Sequence, residues 1–543
     1  MARLSLPLLL VSFLATLTTV HAQTLTATLD YGTFQGAYSS TYNISYWQKI
    51  PFAAPPLGAL RFRGPQPPTP LANGTVYDST ESFSECPQRA AGTGSEDCLY
   101  LGLYSRPWTA GAGAPLKPVV VNFYGGAYIE GSASFGLPPD VYPVLNVSAE
   151  TDLLVVYPNY RVNAFGFLPG RQVAADVDGS DLNPGLLDQD AAIRWTKKYI
   201  SHFGGDPDKI TIWGQSAGAG SVVAQTIARA GLPAAQNPPL FRGALISSPF
   251  WVKTYDYDAP EAQAIYDRFS TLVGCGTGAD SLACLKAADV GTLVNASLVI
   301  SASHTYNTSS YTWAPVIDGR FLTMPLSEAV HKGLVNMQNG WGMYNTHEGQ
   351  NFVPPGLQDV NNTGVPPFND TLASFDGWLA GYLPGFSEAD LDNVKAMYPE
   401  DGSSEAISSY NTTYIRAGLI FRDSVLACPA YWVAKTVPES SYLGEYSISP
   451  ATHGSDVYWW DVLNAEQQTE PDIYKGFVGA FASYLETNDP NALKLTPANV
   501  SGVPPLSSGK EFNINSTGFT DIKLTQFVER CDFWKSVAAK IPI

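Results

Sequence analysis

Charge is scarce in this chain: Asp, Glu, Lys and Arg make up only 15% of 543 residues, and no block of like charge occurs. The balance is acidic, a formal −18 at neutral pH, which leaves no basic patch to neutralise phosphates. Nucleic acid and anionic membrane surfaces are therefore not expected partners. No Cys-x-x-Cys pair or Cys-His cluster at ligand spacing is present, so neither a metal nor a cofactor is expected. Beyond the first residues no apolar run reaches the ~20 residues of a spanning helix, which argues against a membrane anchor. The last residues, Ala538-Ala539-Lys540-Ile541-Pro542-Ile543, carry neither an anchor tail nor a retention tetrapeptide. Repeats and low-complexity linkers are lacking as well, so residues 23–543 are expected to form one domain.

What the chain has in quantity is apolar surface, 45% hydrophobic residues with twelve Trp and 29 Tyr, enough for a large core. At the start, Met1-Ala2-Arg3 precedes a largely apolar Leu6 to Leu17. Val20-His21-Ala22 then stands before a cut at Gln23, so residues 1–22 read as a signal peptide and the protein as secreted. Ten Asn-x-Ser/Thr sequons fit export, at Asn43, Asn73, Asn146, Asn295, Asn307, Asn361, Asn369, Asn411, Asn499 and Asn515. Six cysteines suggest three disulfides: the neighbours Cys86/Cys98 and Cys275/Cys284 would close short loops and Cys428/Cys531 a long one. Spacing alone leaves fifteen pairings open.

Apolar, β-branched runs at Val119 to Phe123, Leu153 to Tyr157, Ile210 to Trp213 and Ala244 to Ile246 read as buried parallel strands. Leu187 to Phe203 has helical spacing and stops at Gly204-Gly205-Asp206-Pro207, which makes a β-α-β unit and an α/β fold. Thr24 to Tyr38 alternates polar and apolar residues, as an antiparallel edge hairpin does. Asn361 to Pro399 is looser and reads as an insertion.

A bare Gly-x-Ser-x-Gly is weak evidence in a chain rich in Gly and Ser. Here Gly214-Gln215-Ser216-Ala217-Gly218 sits between a strand, Lys209 to Trp213, and a small-residue helix, Ala217 to Ile227. That context makes Ser216 a candidate nucleophile, with the Ala217 N–H and the helix dipole facing a developing oxyanion. Gly126 and Ala127, in the loop Tyr124-Gly125-Gly126-Ala127-Tyr128 after a strand, are the candidate further donors; an ordinary turn is the bland reading of the glycine pair.

A serine needs a base, and the chain offers His21, His202, His304, His331, His347 and His453. His21 leaves with the signal. The chain order nucleophile, acid, base excludes His202. Glu348, after an apolar stretch, is the candidate acid, and only His453 follows it, in a loop after a short strand near Tyr446 to Ile448. His347 is the competing base, and a surface position is the bland reading of His453.

Phe52 to Phe62, Ser95 to Leu101, Asn159 to Phe167 and Gly185 to Pro207, in that order along the chain ahead of the Ser216 motif, resemble the signature stretches of the type-B carboxylesterase/lipase family. That family includes cholinesterases, fungal lipases and carboxylesterases, and the likeness runs from about Gly32 to Trp534. The resemblance implies an α/β-hydrolase fold, a large mostly parallel central sheet flanked by helices with helical insertions. It further implies a triad of Ser216, Glu348 and His453, the pairings Cys86–Cys98, Cys275–Cys284 and Cys428–Cys531, and a fungal secreted carboxylesterase. Two residues depart from the pattern: Ala127 replaces the third glycine of the oxyanion loop, and His347 stands where Asp or Asn is usual.

Only eleven residues, Pro87 to Asp97, separate Cys86 from Cys98, where lipases of the family carry a long lid. None is aromatic, whereas cholinesterases place a Trp there to bind quaternary ammonium. Phe250 and Trp251 are candidates for the wall of an acyl pocket. The expected activity is a secreted carboxylesterase acting on soluble short-to-medium acyl or aryl esters, feruloyl-type esters among them, with water as second substrate. The alternatives are a lipase or sterol esterase working at lipid surfaces and a non-catalytic adhesion protein on the same fold.

Overall fold

The computed structural model describes residues 25–88, 94–108, 115–232, 239–301, 313–363, 368–410, 412–493 and 502–543. The expected signal peptide, His21, His304 and the sequons at Asn307, Asn411 and Asn499 lie outside them.

In chain order the strands are β1 (Thr26–Leu29), β2 (Gly32–Gln35), β3 (Ala37–Ser39), β4 (Ile44–Pro51), β5 (Val76–Asp78), β6 (Tyr100–Ser105) and β7 (Lys117–Phe123). They continue with β8 (Leu154–Pro158), β9 (Gly205–Gln215), β10 (Gly243–Ser247), β11 (Asn339–Asn345), β12 (Ser441–Tyr446), β13 (Lys510–Asn515) and β14 (Gly518–Lys523). Eleven of these described strands form one sheet in the order β14-β13-β12-β11-β10-β9-β7-β8-β6-β4-β3. Its middle, from β8 to β13, is parallel, and both edges are antiparallel.

Every residue of β8, β10, β11 and β12 is buried, as expected of strands covered on both faces. Side chains alternate between two cores. Val119, Val121, Ile210, Ile212, Ala244 and Ile246 pack with the helices α1 (Pro184–Tyr199) and α2 (Ala217–Thr226). Val120, Trp213, Leu245 and Trp341 face the other way, toward Phe477 and Phe481 of the helix Pro471–Thr487.

Three expectations are corrected. The hairpin of β1 and β2 pairs with β5 in a separate three-stranded sheet, and only β3 reaches the edge of the main one. Its turn residue explains this: Tyr31 accepts a hydrogen bond from Trp195 Nε1 of α1 at 2.8 Å, so the hairpin covers the helix layer. Residues 361–399 are not loose throughout; they hold the helices Leu372–Tyr382 and Glu388–Met397, with Phe375, Trp378 and Tyr382 buried. The strand placed near Tyr446 to Ile448 ends at Tyr446, so the loop to His453 starts at Ser447. Disulfides join Cys86 to Cys98, Cys275 to Cys284 and Cys428 to Cys531, the pairings that the resemblance implies.

Candidate active site

A single residue joins β9 to α2, so the chain must reverse within it. Ser216 does so at φ +57°, ψ −125°, a left-handed conformation that costs a residue with a Cβ about 1–3 kcal/mol. Its neighbours hold it there. The Ser216 N–H donates to Ser247 O of β10 at 3.1 Å, and its carbonyl accepts from Gly220 and Phe250 at 2.9 and 2.8 Å. A Cβ on Gly218 would stand 2.0 Å from Phe123 O, so only glycine lets α2 start this close to the end of β7.

The loop after β7 lies against the same turn: a Cβ on Gly125 would meet Ser216 Cβ at 3.1 Å. Gly126, Ala127 and Tyr128 follow at φ +105°, +53° and +61°. Gly126 O accepts from the N–H groups of Ile129 and Glu130, and Tyr128 O from Asn163 N at 2.6 Å. The Tyr124 ring stacks on Tyr160 at 4.2 Å, and Tyr160 OH donates to Tyr124 O at 2.7 Å. The loop bearing Gly126 and Ala127 is thus fixed beside the turn bearing Ser216 and Ala217.

The loops leaving β11 and β12 run side by side because those strands are parallel neighbours. Thr346 N donates to Tyr446 O at 3.0 Å and His347 N to Ala451 O at 2.8 Å. His453 N donates to Asn351 Oδ1 at 2.9 Å. Glu348 is fully buried, and its Oε2 stands 3.1 Å from His453 Nδ1. The imidazole, its side chain 12% exposed, turns Nε2 toward the elbow, 3.4 Å from Gln215 Nε2.

The competing base takes another position. His347 Nδ1 lies 3.3 Å from Gln350 Nε2, and burial, aided by Arg422, pushes its imidazole below the ordinary range. His202 and His331 are exposed. Phe250 approaches the site through Phe352, whose ring stacks on it at 5.3 Å and meets the His453 ring edge-on at 5.0 Å. Trp251 is instead buried in the main core, its backbone N–H donating to Val425 O at 3.1 Å.

Several residues here carry no sequence signal: Gln215, Asn351 and Phe352, and a second buried carboxylate, Asp456. Asn345 Nδ2 donates to Asp456 Oδ1 at 3.0 Å and to Ser248 Oγ at 3.1 Å, and Trp460 Nε1 donates to Asp456 Oδ2 at 3.2 Å. Burial pushes the Asp456 carboxyl up, and those hydrogen bonds oppose it.

The profile of the carboxylesterase family matches residues 23–534. Secreted lipase 1 of Botryotinia fuckeliana (strain B05.10) is 29% identical over 516 residues, 87% of this chain and 85% of that protein. Lipase 2 of Geotrichum candidum is 30% identical over 503 residues, covering 82% and 84%. The crystal structure of Aspergillus niger EstA superposes with a TM-score of 0.78 at 26% identity, covering 96% of this chain and 99% of that one. An α/β-hydrolase sheet, a strained serine turn and this span of similarity lead to one conclusion: the chain belongs to the carboxylesterase family and is a carboxylic ester hydrolase.

Proposed function

We propose that Ser216 is the nucleophile, His453 the general base and Glu348 the acid that orients it. His453 Nε2 takes the Ser216 proton as Oγ attacks the ester carbonyl, and the N–H groups of Gly126, Ala127 and Ala217 hold the oxyanion. The imidazolium then protonates the departing alcohol. Water, activated in the same way, releases the acid from the acyl-enzyme. The observation that carries this reading is the 3.1 Å contact between the buried Glu348 and His453 Nδ1, with Nε2 directed at the elbow.

The substrate we propose is a soluble short-to-medium acyl or aryl ester, hydroxycinnamates included, reached in the extracellular space. The short, aromatic-free Cys86–Cys98 segment supports that choice. A lipid-surface substrate is the second reading, favoured by the lipase names of the relatives. Export is supported by the secreted lipases among those relatives, and exposure of Asn43, Asn73, Asn146, Asn295 and Asn361 suits them to carry glycans. Rates on p-nitrophenyl esters of rising chain length and on hydroxycinnamate esters, with Ser216→Ala as the blank, test both readings. A sharp rise in rate above the solubility limit of the substrate would move the assignment to the lipase, and full activity in Ser216→Ala would refute the mechanism.

A further inference from the structure

Glu348 is presented by a 3-10 turn, Glu348–Phe352, and a short turn needs outside support to hold a carboxylate still. That support comes from the helix α3 (Thr413–Phe421). A Cβ on Gly349 would stand 1.8 Å from Gly418 O and 2.6 Å from Arg422 N, so backbone lies on backbone next to the acid. At that contact α3 passes into a π-helical turn, Arg422–Ala427, an irregularity that often occurs at functional sites.

The first residue of the π turn points back into the acid's loop. Arg422 Nη1 donates to Thr346 O at 3.2 Å and lies 3.5 Å from Glu445, whose Oε1 accepts from Thr346 Oγ1 at 2.8 Å. Thr346 is thus held at its carbonyl by Arg422 and at its hydroxyl by Glu445, two residues before Glu348. The guanidinium is itself fixed: Nε donates to Asp423 Oδ1 at 2.9 Å, and the cation lies over the Tyr344 ring at 5.0 Å. Asp423 in turn accepts from Arg530 Nε at 2.7 Å and from Tyr398 OH at 2.9 Å. Arg422 and Asp423 are both buried. Burying such charges costs several kcal/mol per ion unless their partners are well aimed, and isolated pairs seldom stabilise a fold. Here the aim is toward the catalytic loop.

We propose that Arg422 is a positioning residue for the reaction: with Glu445 it clasps Thr346 from two sides, and only the complete clasp sets Glu348 at the distance from His453 that the proton transfer needs. This rests on the catalytic roles proposed above. The charged and titratable groups that act on the guanidinium include Asp423, Glu445, Glu511, Tyr344, Tyr410, Arg530 and His347. Lysine keeps the charge but loses the planar fork that reaches Asp423 and Thr346 together.

The test uses the full-length enzyme with Arg422→Lys and, independently, Thr346→Val, which removes the hydroxyl clasp and leaves every ion pair in place. Active serine is counted with an organophosphonate, so that misfolded protein does not register as slow enzyme. Per active serine, each variant should lose tenfold to a hundredfold in kcat with KM changed less than about twofold, the scale expected of a small misplacement. The acid limb of the pH–rate profile should move to lower pH, because an imidazolium less well backed by Glu348 loses its proton more readily. Parental kcat and an unmoved limb in Thr346→Val would overturn the proposal, and this variant decides if Arg422→Lys does not fold. Glu348→Gln, run alongside, separates the two levels: full activity there overturns the catalytic roles themselves, whereas its collapse beside parental Thr346→Val overturns only the role of Arg422.

Discussion

At Glu348 a single proton's worth of charge can be removed without changing shape. The side chain is fully buried and one oxygen is committed to His453 Nδ1, so Glu348→Gln keeps the packing and withdraws the support of the imidazolium. Turnover should fall about a thousandfold or more while the melting temperature stays near the parent's; near-parental turnover would remove Glu348 from the mechanism. Ala127 sits in left-handed backbone in the loop that packs beside the elbow, and it brings a methyl group where glycine would bring none. Ala127→Gly should therefore extend hydrolysis to esters of tertiary alcohols, and an unchanged range of substrates would sink that account. Ser216 was legible from its motif because a one-residue strand-to-helix reversal demands glycines at fixed offsets, and His453 because chain order left no other base after Glu348. Phe352, Asn351 and Arg422 were not legible. They meet the site only through a 3-10 turn and a π turn, whose side-chain directions follow neither the 3.6 nor the 2.0 period.

Among the elements, the parallel strands were readable because burial on both faces makes them continuous apolar runs. The insertion was misread although Ser387-Glu388-Ala389-Asp390 carries a capping-box pattern. The structure forms that box, with Ser387 N donating to Asp390 Oδ2 at 2.9 Å. The long disulfide has a definite mechanical role. Cys428 follows the π turn and Cys531 follows Arg530, so the bond fastens the C-terminal helix Gln526–Ser536 to the support of the acid loop. Cys428 and Cys531 are 103 residues apart and Cys275 and Cys284 only nine. Loop-closure entropy then gives about 4.7 kcal/mol for the first bond and about 2.7 for the second. Replacing both cysteines by serine should lower the melting temperature more for Cys428/Cys531 than for Cys275/Cys284; the reverse order in thermal melts would contradict this.

Across the whole molecule, several carboxyls are raised by burial more than their partners lower them. Burial pushes Asp140 up to about 6 and Asp461, Glu445 and Glu486 up to about 7, with Glu511 well above its ordinary value. A carboxyl raised in the folded state contributes stability that is complete below its unfolded pKa and disappears as pH rises through the folded one. For the first four groups the loss falls between about pH 4 and pH 7. Asp423 works in the other direction: it is buried, yet Arg422 and Arg530 hold it low, so its contribution fails only in strong acid. The net charge of −18 adds self-repulsion on the alkaline side. Melting temperature should thus decline from pH 5 to pH 8, and a rise over that interval would refute the argument. The bent backbone at Ser216 has a bearing on how the protein can be improved. Glycine would release that strain and, on the proposed mechanism, remove the nucleophile in the same step. On that mechanism a mutant library screened on heat resistance alone will enrich dead enzyme at position 216, and any selection for a hardier catalyst has to score turnover in the same round.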